Sequence, residues 1–315
     1  YQFARSRSVR FNYRGSTRQP TVTQLQEVPD VTNPPNVYIG NPLLGQEFSN
    51  NFSLSYNFFD LVKFRNLFAV LTFNNTMNKI TNAITQLRTG GQQTRPVNLN
   101  GAYNVSGTFN VGFPIKKMQG GNFNTNTRVV YGRDVTMIND VENFTKNLTV
   151  GEDLRLSYNY KEKLDMGIGV SSNYTRVRYT NTDYARNNQN YFTHALSADV
   201  TYTFPKGIIL STDFDYTLYT GRTDGFNQNF ALWNAGLAKE LFKNKRGEIK
   251  FSVYDMLNQN IGITRNASDN YIEDVRNSVL NRFFMLTFTY RLTRMGGRAM
   301  PAIMERATRG IRITQ

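Results

Sequence analysis

Residues 97–115, VNLNGAYNVSGTFNVGFPI, set the tightest limit on what this chain can become. Every odd position is apolar, aromatic or glycine: Val97, Leu99, Gly101, Tyr103, Val105, Gly107, Phe109, Val111, Phe113 and Ile115. The even positions from Asn98 to Asn110 are Asn98, Asn100, Ala102, Asn104, Ser106, Thr108 and Asn110. In a strand these two sets lie on opposite faces. The alternation lasts about nineteen residues, where an ordinary strand has roughly five or six. A strand that crosses a bilayer needs about 9–11 tilted residues, apolar toward lipid and polar toward a wet lumen. The stretch therefore reads as one membrane-spanning strand.

Composition supports an all-β membrane protein. No run of about twenty apolar residues is present, which excludes a helical membrane protein. Hydrophobic residues make up 39% of the chain and mean hydropathy is −0.49, values that alone describe a soluble protein. Transmembrane barrels share this property because only alternate residues are apolar. The 23 Phe and 18 Tyr, against one Trp, supply aromatic girdles at two membrane interfaces. There is no cysteine, so disulfides and thiolate metal sites are excluded. The net charge of +14 is spread over turns, rims and polar faces, which suits lipid headgroups and does not point to nucleic acid.

The pattern repeats along the chain. Residues 5–14 alternate through Val9, Phe11 and Tyr13 as the end of a first strand. A Pro-, Asn- and Gln-rich connection (15–49) follows, its five prolines excluding a central strand over most of it. Strands are then expected at 50–59, 67–74, 97–115, 123–134, 148–160, 166–174, 196–204, 208–218, 233–241, 249–253 and 282–292. That makes about twelve, with Glu152 the one polar exception on the apolar face of its strand. The connections alternate in length. Short turns hold KK, KEK, PK and KNKR; long polar loops are expected at 15–49, 82–95, 134–146 and 258–277. Outer-membrane barrels have this asymmetry, with short periplasmic turns and long extracellular loops. A soluble β-sandwich is the rival architecture, and strands this long fit it poorly.

Three motifs carry a family resemblance. The segment PTVTQLQEVPDVTNPPNVYIGNPLLGQE resembles a stretch of TonB-dependent outer-membrane receptors of the Bacteroidota type, including SusC-like transporters; it is carried by Pro20, Gln24, Leu25, Asn33, Pro34, Gly40, Asn41, Pro42, Leu44 and Glu47. VYDMLNQNIGI (253–263) is similar to a motif of their penultimate strand, through Asp255, Leu257, Asn258 and Asn260. RFFMLTFTYRL resembles their aromatic closing strand, with Phe284, Leu286, Phe288 and Tyr290 outward.

The resemblance covers residues 5–294 and implies that they are the C-terminal half of a 22-stranded antiparallel barrel. It further implies an upstream plug domain, uptake driven through the TonB complex, recognition of the last strand by the barrel-assembly machinery, and a surface lipoprotein as a lid. The chain begins at Tyr1 with neither Met nor signal peptide, so residues 1–315 are expected to be part of a longer protein whose plug lies upstream. Residues 295–315 depart from the family pattern. They form a basic tail with Arg298, Arg306, Arg309 and Arg312, expected to be a periplasmic extension.

No catalytic constellation stands out. His194, the single histidine, shares the apolar face with Leu196, and Ser197 lies on the opposite face, so the serine-hydrolase arrangement is not met. We read it as an interfacial imidazole. Asp213 and Asp215 share a polar face and suit lumenal pairing with Arg better than a cation site. Gly90-Gly91 and Gly120-Gly121 are turn glycines without nucleotide-binding context. The expectation is thus a barrel without enzymatic activity or cofactor that walls a substrate-uptake path. The alternatives are a stand-alone twelve-stranded diffusion porin and a surface-assembly barrel that transports nothing.

Overall fold

The computed structural model describes residues 1–4, 6–88, 90–161, 163–181, 188–221, 227, 229–242, 244–260, 262–267 and 272–292. The basic tail lies outside the described residues. The described elements are β1 (Gln2–Ala4), β2 (Arg7–Arg18), the short helix α1 (Val22–Leu25), β3 (Asn36–Tyr38), β4 (Glu47–Asp60), β5 (Arg65–Met77), β6 (Lys79–Gln86), β7 (Gln92–Leu99) and β8 (Ala102–Pro114). They continue with β9 (Gly121–Ile138), β10 (Val141–Tyr160), β11 (Leu164–Tyr179), β12 (Gln189–Phe204), β13 (Ile208–Thr220), β14 (Asn229–Leu241), β15 (Gly247–Tyr254), β16 (Gly262–Ala267), β17 (Ile272–Asn277) and β18 (Phe283–Tyr290).

The main path of the sheet is antiparallel, in the order β1-β2-β4-β5-β8-β9-β10-β11-β12-β13-β14-β15-β18, and the only parallel pairs among the described residues are β3 with β7 and β6 with β9, off that path. Without the three-residue β1, that path of thirteen leaves twelve spanning strands, each neighbour to the next. Strands β2 and β18 do not pair with each other, so the sheet is open. Among the described residues no helix is long and apolar enough to cross a membrane.

Period-two alternation sorts the two faces. One face is apolar and exposed: Leu54 and Leu71, Val129 and Val150, Ile168, Leu196, Leu237 and Phe251 all point outward. Exposed side chains of this kind, in contiguous rows, form a lipid-facing belt. Aromatic residues bound it. Above it, ring contacts run from Tyr13 to Phe52 (4.9 Å), Phe73 (6.1 Å), Tyr103 (6.3 Å) and Tyr131 (5.9 Å). Below it are the pairs Phe113–Phe123 (5.4 Å), Tyr158–Tyr160 (6.4 Å) and Tyr202–Phe204 (4.6 Å). The opposite face is polar and internally bonded, as in Asn66 Nδ2 to Asn110 Oδ1 (3.0 Å) and the Arg155–Asp199 ion pair (2.6 Å). Asp213 accepts from Asn234 Nδ2 at 2.7 Å on this same face.

Four expectations need correction. Residues 97–115 are two strands: β7 ends at Leu99 and β8 starts at Ala102, with Gly101 at φ +99° between them. A Cβ at Gly101 would meet Phe144 Cε1 at 3.1 Å, so the turn needs glycine twice over. Only β8 belongs to the spanning path; β7 pairs with β6 and β3 above it. The loop expected at 82–95 is instead the β6–β7 hairpin, which includes Pro96 inside β7. The loop expected at 134–146 is the top of the β9–β10 hairpin. Asn139 (φ +48°) and Asp140 (φ +63°) form its two-residue turn, the left-handed pair that a type I′ hairpin demands. Finally, 258–277 contains the separate β16–β17 hairpin, and the Asp255 motif follows β15 instead of lying within a strand.

Candidate functional site

The first motif builds a cap over the long-loop end of the sheet. Thr21 caps α1, accepting from Gln24 N (3.3 Å), while the Gln24 side chain accepts from Thr21 N (2.9 Å). This reciprocal box fixes the chain just after Pro20 and positions Leu25. Gly40 then runs against α1: its N–H donates to Gln26 O at 3.0 Å, and a Cβ there would lie 2.8 Å from the Gln26 carbonyl carbon. No other residue fits that approach. Asn41 N donates to Gln24 O (2.6 Å), and the Asn41 side chain donates to Pro96 O (3.0 Å) and accepts from Leu43 N (3.1 Å). Pro42 thus sits in an Asx turn, which the Leu44 N to Asn41 O bond closes (3.3 Å). Asn33 and Pro34 lie in the exposed turn before β3, where Asn36 N donates to Asn33 O at 2.8 Å.

Glu47 locks the cap to the wall. It is 8% exposed, and its carboxylate takes Arg18 through Nε (2.7 Å) and a second nitrogen (3.1 Å), and the Ile80 N–H (3.0 Å). Asn98 completes the arrangement, accepting from Gly45 N (2.8 Å) and donating to the carbonyls of Gly45 (3.0 Å) and Asn78 (2.9 Å). The motif residues from Gln24 to Glu47 are therefore brought together as one structural unit with β6 and β7. Arg18, Asn78 and Asn98 were not singled out from sequence; nothing local distinguishes them from other polar loop residues. At the edge of the cap, the Thr32 backbone N–H and hydroxyl hold the Asp30 carboxyl below its ordinary range. Burial pushes the Tyr38 phenol up.

Below the cap, the lumenal face carries Asn51, Asn74, Asn104, Gly132 and Asn147 as successive register partners across β4, β5, β8, β9 and β10. A cavity of about 320 Å³ opens here, lined by Asn74, Thr76, Asn104 and Asn147 with the Lys79–Asp134 ion pair at its rim. Asn74 Oδ1 is buried with no partner. Amides and hydroxyls on a rigid wall offer both donors and acceptors to a polar solute.

The second motif forms a separate staple. Asp255 is 3% exposed, at φ +52°, and its carboxylate accepts from Gln259 N (2.9 Å) and Asn260 N (3.1 Å). Asn258, at φ +57°, accepts from Arg282 N (3.1 Å), and Asn260 Nδ2 donates to Leu280 O (3.2 Å). The loop is thereby tied to the start of β18, with Leu257 partly exposed at its tip.

The matching family model is that of the outer membrane protein beta-barrel family, over residues 1–140 and 121–290. The chain belongs to that family. No curated protein and no solved structure matches it. Membership accounts for the apolar belt between aromatic girdles, and it places the protein in the outer membrane, which its strands cross repeatedly. In this barrel wall the closing-strand residues Phe284, Leu286, Phe288 and Tyr290 are all exposed on the lipid side, and among the described residues β18 pairs with β15 alone.

Proposed function

We propose that this barrel walls an energised uptake path, as in TonB-dependent receptors, and that its chemistry is confined to binding and passage. The observation that carries the reading is the lumenal cavity of Asn74, Thr76, Asn104 and Asn147 beneath a built cap. A general diffusion pore gains nothing from a cap tied down by a buried carboxylate. A gated path does, because its mouth must hold loops in place while passing selected solutes. The partners on this reading are the TonB complex, reached through a plug, a surface lipoprotein lid, the assembly machinery and lipid.

The test uses the native protein from outer-membrane fractions. Its intact mass and N-terminal sequence, and its conductance in planar bilayers, are measured together. A mass well above 36.2 kDa, a plug-like region before Tyr1 and closed behaviour in bilayers support the receptor. Permanently open channels from a protein that starts near Tyr1 refute it in favour of the porin. A plugged barrel whose host strain shows no uptake defect when the energising complex is deleted refutes it in favour of the non-transporting barrel.

A further inference from the structure

A carboxylate and an imidazole interrupt the lipid-facing belt in one row. Thr127, Glu152, Ser172 and His194 are successive register partners on β9, β10, β11 and β12, and the same row continues as Phe109 on one side and Leu218 on the other. All four belong to the outward set of their strands. Val150 and Leu154 flank Glu152 on β10, and Phe192 and Leu196 flank His194 on β12, all four exposed. On β9, Thr127 lies midway between Phe123 and Tyr131, which belong to the lower and upper girdles. The row is thus inside the belt.

The groups are held in place. Thr125 and Thr127 both donate to the Glu152 carboxyl, the latter at 2.5 Å. Ser172 Oγ bonds His194 Nδ1 at 3.0 Å, and the imidazole stacks on Phe192 with 11° between planes. His194 Nε2 has no partner among the described residues, and no cation pairs with Glu152 there. Acyl chains offer nothing to either group, and an intramembrane ionisable side chain at a lipid face is costly unless something polar meets it. Between protein surfaces in lipid, polar contacts supply the cohesion that apolar burial cannot.

We propose that this row is where two copies of the barrel associate side by side, about a two-fold axis that runs beside β11. Such an axis, normal to the membrane, reverses strand order across the contact, so β10 of each copy faces β12 of the other. Glu152 of each copy then meets His194 of its partner copy, with Ser172 near the axis. The row is self-complementary: an acceptor and an imidazole nitrogen stand one strand either side of the centre. Glu152 is eight residues above Tyr160 (160 − 152) and His194 ten above Phe204 (204 − 194). At the rise of a tilted strand that is a height difference of about 5 Å, which two extended side chains span. Two convex walls touch along a narrow strip, so one row suffices for the polar contact, with Ile168, Val170 and Leu196 around it.

Residues 1–315 hold no cysteine, so a thiol introduced in the wall is the one thiol of this region. Val170→Cys places a thiol on β11, one outward step from Ser172, and leaves the row intact. Leu237→Cys, outward on β14, is the control. Full-length protein is oxidised in its own outer membrane, and disulfide-linked species are identified by mass. V170C is expected to give roughly tenfold more homodimer than L237C, the yield falling to the control level when Glu152→Leu and His194→Leu are added. Heat-modifiability of the monomer verifies that each variant is folded. Equal yields from V170C and L237C overturn the proposal, as does V170C dimer that persists without Glu152 and His194. An adduct of V170C with a different protein also overturns it, assigning the row to that partner.

Discussion

Replacing Glu47 should release the cap without unfolding the barrel. In Glu47→Ala the Ile80 N–H loses its acceptor, and Ile80 is only 5% exposed. Leaving such a group unpaired costs about 1–3 kcal/mol. Arg18 is 61% exposed along its side chain, so losing its ion pair adds only about 0.2–1 kcal/mol after screening by water. The total is about 1–4 kcal/mol against local opening, which amounts to roughly 7- to 900-fold faster amide exchange. Hydrogen exchange followed by mass spectrometry, over a peptide covering residues 78–86 in the folded barrel, reads this directly. Glu47→Gln keeps an oxygen for Ile80 and should accelerate exchange less than tenfold, about 1 kcal/mol or under. If the alanine variant exchanges within about threefold of the native protein, the cap is held elsewhere and the reasoning fails. If the glutamine variant is as fast as the alanine variant, the Arg18 charge dominates and the assignment to Ile80 is wrong.

Other perturbations give independent checks. Gly40→Ala forces Gln24 and Gln26 backbone atoms apart, at a cost of about 1–3 kcal/mol, and should expose residues 19–46 to proteinase K. Asp255→Ala removes the acceptor of the Gln259 and Asn260 N–H groups, costs about 1–3 kcal/mol, and should open the loop after β15 to the same protease. Asp140→Gly removes a side chain from a left-handed position and should stabilise the β9–β10 tip by about 0.5–1 kcal/mol, seen as slower exchange there; Asn139→Val should do the reverse. Leu286→Arg sets a cation on the lipid face of β18 and should lower the heat-modifiable fraction through a loss of about 2 kcal/mol.

The spanning strands were legible because the bilayer imposes one rule on each of them. Apolar side chains at every second position, interrupted by short cationic turns, give the twelve strands and their order directly. The cap was hidden because above the membrane no lipid imposes apolar side chains at every second position. Asn82 and Thr85 in β6, with Gln92, Gln93 and Thr94 in β7, read as loop yet form a registered ladder. Residues 97–115 misled for a related reason: Gly101 keeps the odd positions apolar or glycine while turning the chain, so the alternation runs through a break. Of the candidate site, Gly40, Asn41 and Glu47 were visible as a motif, but their partners Pro96, Arg18 and Ile80 come from elements whose pairing no local pattern specifies. The Glu152 and His194 exceptions were each apparent singly. Their meeting in one row needed the registers of β10, β11 and β12.

The two parts of the molecule are held by different physics, and the difference bears on what moves. The belt is a continuous ladder whose opening exposes backbone groups to lipid, so it resists local change. The cap relies on single side chains that bond backbone: Asn41 on Pro96, Asn98 on Gly45 and Asn78, Glu47 on Ile80. Each such bond is worth about 1 kcal/mol net, so losing one frees a segment without touching its neighbours. Gly101 marks the boundary just before β8, above Tyr103 of the upper girdle. A mouth that opens by exchanging a few such bonds with an arriving solute, over a wall that stays fixed, needs this division. It also means that sequence change in the cap is cheap for the barrel, so on the proposed uptake function selectivity would be free to change there while the belt keeps its alternation.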